Sequence, residues 1–138
     1  MVQLVVNIDV PDLDRATDFY RAALGFTLKR RLFDDTVAEM AGASSPVFLL
    51  KKDAGSPAST TLRSRRDYGR HWTPVHFDVV VDDLAVAVAR ARGAGAVLEG
   101  EPQTYEWGRI AFMADPFGHG FCLVQFVGRG YEEETCRS

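Results

Sequence analysis

His76 and Asp78 stand two residues apart in "VHFDVVVDD". On an extended chain that spacing puts both side chains on one face. A carboxylate beside an imidazole can orient it or hold its charge, which suits acid–base work on a carbonyl substrate. Cys122 lies in "DPFGHGFCLVQF", a turn feeding an apolar strand. A thiol there could attack a substrate or simply fill space. No basic residue adjoins it in sequence to lower its pKa, and His119 is the nearest candidate.

"YEWGR" (105–109) offers a second group. Trp107 and Tyr105 could stack on a planar ligand, and Arg109 could pair an anionic one. The alternative is a packing tryptophan with a rim arginine. "LRSRRDYGRHW" (62–72) gathers four arginines with His71, Tyr68 and Trp72, either as a lid over an anion or as a solvated loop. Asp115, Pro116 and Gly118 read as turn residues. The sequence has no Gly-rich phosphate loop, no Ser-His-Asp order and no CxxC pair.

These residues need a scaffold, and 138 residues fit a single domain with a real core. Hydrophobic residues make up 46% and charged residues 25%, a globular balance. A net charge of -3 implies no general affinity for nucleic acid or acidic membrane. No run approaches the roughly 18 apolar residues of a membrane span. The opening "MVQLVVNIDVPDLD" lacks a basic, then apolar, export pattern, so a cytoplasmic location is expected. Cys122 and Cys136 are expected to be reduced there.

The scaffold is written twice. "LVVNIDVPDLDRATDF" (4–19) aligns without a gap on "VHFDVVVDDLAVAVAR" (75–90). Val10, Asp12, Leu13 and Ala16 fall on Val81, Asp83, Leu84 and Ala87. Each copy is an apolar run, an acidic turn and a helical pattern. In the first, Leu13, Ala16, Phe19, Tyr20, Ala23 and Leu24 form one helical face. Asp12 caps it and Gly25 stops it. In the second, Leu84, Ala87, Val88 and Ala91 form the face, Asp82 and Asp83 supply the cap, and Gly93 or Gly95 the stop. Strand-length segments follow at about 26–33, 36–41 and 46–52, then at about 96–101, 108–114 and 120–127.

The order is β-α-β-β-β, twice. The expected organisation is one domain over 1–138: module one 1–52, a loop 53–72, module two 73–127 and a polar tail 128–138. The modules are expected to pair around a shared concavity. Leu4, Val6, Ile8 and Val10 match Val75, Phe77, Val79 and Val81 and face the helices. Val5, Asn7 and Asp9 match His76, Asp78 and Val80 and face the concavity. That face is too polar for a sealed core, so Asn7 and Asp9 join the candidate binding residues.

"VPDLDRATDFYRAALGF" (10–26), "HFDVVVDDLAVAVARARGAGA" (76–96) and "ADPFGHGFCLVQF" (114–126) together resemble the vicinal oxygen chelate superfamily, which groups glyoxalases, bleomycin-resistance proteins and extradiol dioxygenases. The resemblance implies an α+β fold of two paired βαβββ modules forming a cupped mixed sheet. It also implies a homodimer. Metal-using members carry a ligand on the first and last strand of each module. By that likeness His76 holds a ligand position and Cys122 replaces the usual Glu. Val5 and one of Leu49 or Leu50 fill the other two, and neither residue type can coordinate.

Three functions follow as expectations. The first is a protein that binds a small planar or anionic molecule in the cup, with no cofactor. Its ligand contacts would be Asn7, Asp9, Tyr105, Trp107, Arg109 and Cys122. The second is a lyase, isomerase or dioxygenase using a divalent metal, with ligands drawn from His76, Cys122, Asp9 and Asp78. The third is a metal-free enzyme with His76 or Asp78 as catalytic base.

Overall fold

A computed structural model of the chain describes residues 1–136. It divides into two compact units, one over Met1–Gly69 and one from Arg70 onward.

The first unit runs β1 (Val6–Val10), α1 (Leu13–Leu24), β2 (Thr27–Leu32), β3 (Val37–Ala41) and β4 (Val47–Lys51). Its sheet has the order β1-β4-β3-β2, parallel between β1 and β4 and antiparallel elsewhere. The Asp12 carboxylate accepts the Arg15 N–H at 3.0 Å and starts α1. Gly25 ends it in the left-handed region, with φ 73°, its N–H turned back to the Arg21 and Tyr20 carbonyls. The buried face is Leu13, Ala16, Phe19, Tyr20 and Ala23, as the spacing predicts. Thr17 joins them because its hydroxyl donates to the Leu13 carbonyl at 2.8 Å.

Strand register pairs Ile8 with Leu49, Leu49 with Ala38, and Met40 with Val47, and all are buried. Each larger side chain contributes about 1.5–3 kcal/mol by leaving water. Glu39 is the buried carboxylate of this sheet. Arg30 Nε reaches it at 2.7 Å and Lys29 Nζ at 3.6 Å. The Arg30 hydrogen bond holds its pKa below the ordinary value.

The segment from 53 to 69 is fastened to this unit. Pro57 bridges Arg65, the Arg66 guanidinium donates to Asp9 Oδ2 at 2.6 Å, and the Tyr68 hydroxyl donates to the Lys52 carbonyl at 2.7 Å. Burial pushes the Tyr68 hydroxyl up to about 12.

The second unit runs β5 (Phe77–Val80), α2 (Leu84–Gly93), β6 (Val97–Leu98), β7 (Gln103–Tyr105), β8 (Gly108–Ala114), β9 (Gly120–Phe126) and a 3₁₀ turn (Gly130–Glu134). Its order is β5-β9-β8-β6, and β7 also pairs with β8. Of the two candidate caps, Asp83 accepts the Val86 N–H at 3.1 Å. Leu84, Val88 and Ala91 are buried, and Ala87 is half-buried.

Two elements depart from the expected pattern. The strand expected at 96–101 shrinks to two residues. The unexpected β7 is polar and exposed, and exists because a two-residue turn, Glu106 and Trp107, folds it back on β8. The tail is polar as read, but part of it forms the 3₁₀ turn; residues 137–138 lie outside the described residues. Among the described residues no helix is long and apolar enough to cross a membrane.

Candidate functional site

Register builds one row across the second sheet. Phe112 on β8 pairs with Cys122 on β9, and Cys122 pairs with Asp78 on β5. Directly paired residues point to the same face, so these three side chains share it. His76 shares Asp78's face by alternation. Its Nε2 lies 3.5 Å from Asp78 Oδ1. The ligand atoms of His76, Asp78 and Cys122 all lie within 4.8 Å of one another.

Burial and charge differ sharply within this group. His76 and Asp78 are exposed, while Cys122 is only 1% exposed. The Cys122 thiol sits up at about 12, because burial penalises the thiolate and the Asp78 carboxylate both repels it and accepts its hydrogen bond. A neutral thiol of that kind is a poor nucleophile near neutral pH.

Two aromatic groups border the row. Trp72 packs edge-on against His76 and Phe112, with centroids 5.6 Å from each. Its indole lies on the backbone of Gly120, where a Cβ would stand 2.4 Å from the ring. Only glycine admits this approach. The Trp72 Nε1–H donates to Glu99 Oε1 at 3.2 Å, and Arg70 reaches the same oxygen at 3.1 Å. The adjoining His71 is stitched to the turn before β9. Its N–H donates to the Gly118 carbonyl, its carbonyl accepts from Gly120, and its Nε2 lies 2.6 Å from His119 Nδ1. Asp115 holds that turn, accepting the Phe117 and His119 N–H groups, which is the structural role expected of it.

The second aromatic group joins Trp107, Phe126 and Tyr131. Tyr131 lies 5.0 Å from Trp107 and 4.7 Å from Phe126, and Tyr105 stacks on Trp107 at 5.3 Å. The Tyr131 pKa is raised, first by burial and then by the Asp78 charge. From Gly120 to Phe126 the face extends about 20 Å at strand rise.

Other candidates go elsewhere. Arg109 pairs with Gln125, whose Oε1 accepts the Leu84 N–H at 2.8 Å, so Arg109 belongs to the face that carries α2. Strand alternation thus separates Arg109 from Cys122, and Trp107 escapes that rule because it sits in the turn. Asn7 and Asp9 belong to the first unit, where Asn7 is exposed and Asp9 is bound to Arg66. Of the basic stretch, Arg65, Arg66 and Arg70 all hold partners within the chain, which leaves little of an anion lid. In β4 the residue paired with Asn7, as Cys122 is with Asp78, is Phe48 rather than Leu49 or Leu50. Leu49 is fully buried on the helix side.

Phe112 and Tyr131 were not singled out by their sequence. Alternation in "GRIAFMA" could have found Phe112. Nothing in "GRGYEEE" marks Tyr131.

A metal fits the group in donor chemistry. An imidazole, a carboxylate and a thiol make the three-ligand set of an open zinc-type site. Such an ion has to displace the Cys122 proton first.

The family of glyoxalase-like domains matches residues 5–124. No curated protein matches the chain by sequence. Among solved structures, a glyoxalase/bleomycin resistance protein/dioxygenase from Nocardioides is similar at 21% identity and TM-score 0.67, over 94% of this chain and 86% of that one. TioX from Micromonospora sp. ML1 is similar at 21% identity and TM-score 0.69, over 92% and 100%. The fosfomycin resistance protein FosX from Listeria monocytogenes is similar at 15% identity and TM-score 0.70, over 92% and 94%. These likenesses concern the fold.

The chain belongs to the glyoxalase-like family, within the vicinal oxygen chelate superfamily.

Proposed function

We propose that this glyoxalase-like protein binds a small planar molecule on the face of its second sheet that carries Cys122 and Asp78. The observation that carries this reading is the row Phe112–Cys122–Asp78 lying between Trp72 at one end and Trp107, Phe126 and Tyr131 at the other. Flat aromatic walls favour a flat ligand by stacking. Asp78 and His76 supply an exposed acceptor and a ring nitrogen, so the ligand carries a hydrogen-bond donor. An anionic ligand has less support on this face, since Arg109 is on the other one. By likeness to the family the protein acts as a homodimer, and the pattern of its opening residues supports a cytoplasmic location. Thermal shift with 9-aminoacridine, a planar donor-bearing cation, tests the reading. Stabilisation that Trp72→Ala and Asp78→Asn both remove supports it. Stabilisation that survives both variants, or none in the parent protein, refutes it.

A second reading has its own observation, the 4.8 Å grouping of His76, Asp78 and Cys122. In it these residues hold a divalent metal, which supplies Lewis-acid polarisation of a bound oxygen. Stoichiometric metal in the purified protein, lost in His76→Ala, supports this reading. Its absence after soaking with zinc, nickel, manganese and iron removes it.

A further inference from the structure

We propose a second ligand site on the opposite face of the same sheet, taking a small amphipathic monocarboxylate. A cavity of about 270 Å³ opens there between α2 and the β7–β8 hairpin. Leu84, Val88 and Pro102 give it an apolar wall, and Arg92 and Arg109 supply two guanidinium groups. Arg109 is half-buried. Neither guanidinium group has a hydrogen-bond or ion-pair partner among the described residues.

That combination is unusual within this chain. Arg30, Arg31, Arg65, Arg66, Arg70 and Arg129 each have a carboxylate or carbonyl partner. Two unpaired cations lining one cavity repel each other, and half-burying one without a counter-charge costs free energy. A single carboxylate relieves both, since its two oxygens match the guanidinium fork. The apolar wall then selects an aliphatic or aromatic body over a bare anion. The volume is below the usual range for drug-sized ligands, so the body is small.

Octanoate is the probe, with octanol and inorganic phosphate as controls, titrated into the full chain by calorimetry. The expected result is that octanoate binds, octanol and phosphate bind far more weakly, and Arg92→Gln and Arg109→Lys each lose about tenfold in affinity. Arg92 is exposed on α2, so Arg92→Gln is expected to leave the fold intact. Trp72→Ala is expected to leave octanoate affinity unchanged, which separates this site from the planar-ligand face. Equal binding of octanol, equal binding of phosphate, affinity unchanged in both arginine variants, loss in Trp72→Ala, or no octanoate binding up to about 10 mM would each overturn the proposal.

Discussion

Cys122 on β9 pairs directly with Asp78 on β5, and the thiol and the carboxylate lie within 4.8 Å of each other. The pairing sets a buried group beside an exposed one. Burial first, and the Asp78 charge second, keep the thiol protonated at neutral pH.

The thiol of Cys122 stays protonated until about pH 12. The native protein is therefore expected to give one thiol, the exposed Cys136, with Ellman's reagent at pH 8, and two after denaturation. The unfolded chain ionises Cys122 at an ordinary thiol pKa, so stability falls as pH rises from about 9 toward 12. Asp78→Asn removes the repelling charge and is expected to lower the pH at which Cys122 reacts. Two fast-reacting thiols in the native parent protein would contradict this.

A cation at His76, Asp78 and Cys122 must take the place of the thiol proton. Cobalt(II) uptake, if the metal reading holds, is expected to release a proton, strengthen with pH, and show thiolate absorption that Cys122→Ser abolishes. Uptake without that absorption would place the ion elsewhere.

Gly120 admits the Trp72 ring. Gly120→Ala puts a methyl group where the indole lies and is expected to cost about 1–3 kcal/mol. Denaturant melts and tryptophan emission report the change. The variant should also lose 9-aminoacridine stabilisation. An unchanged melt and spectrum would mean that the indole does not rest on this strand.

His71 is held below the ordinary histidine pKa, first by burial and next by the facing His119. Asp115 pulls the other way, and Arg70 adds to the lowering. The fold thus favours neutral His71. As pH falls below about 6.5, the unfolded chain takes up a proton that the folded chain resists, and stability is lost. His119→Asn is expected to flatten that loss, as read in melts between about pH 7 and 5. An unchanged slope would mean that the imidazole pair carries no pH dependence.

Much of this was legible in the residues. The repeat fixed both helices because an Asp cap followed by residues spaced three and four apart admits few other structures. Asp12 and Asp83 cap as expected. Alternation also put His76 and Asp78 on one face. It could equally have separated Arg109 from Cys122, but only once the pairing of β8 with β9 is known, and that pairing is not local. Tyr131 was hidden for a different reason. Its place depends on a 3₁₀ turn after the last strand, and a run of glutamates gives no apolar period to reveal it. Trp72 was read as part of a charged loop because its support, Gly120, lies 48 positions away.

Binding of a planar ligand on the His76–Asp78–Cys122 face is tested most directly by two-dimensional NMR during titration with 9-aminoacridine. Saturable shifts are expected at the Trp72 indole N–H and at the amides of Asp78, Cys122 and Tyr131. Shifts confined to other residues, or none at saturation of the thermal effect, would contradict it.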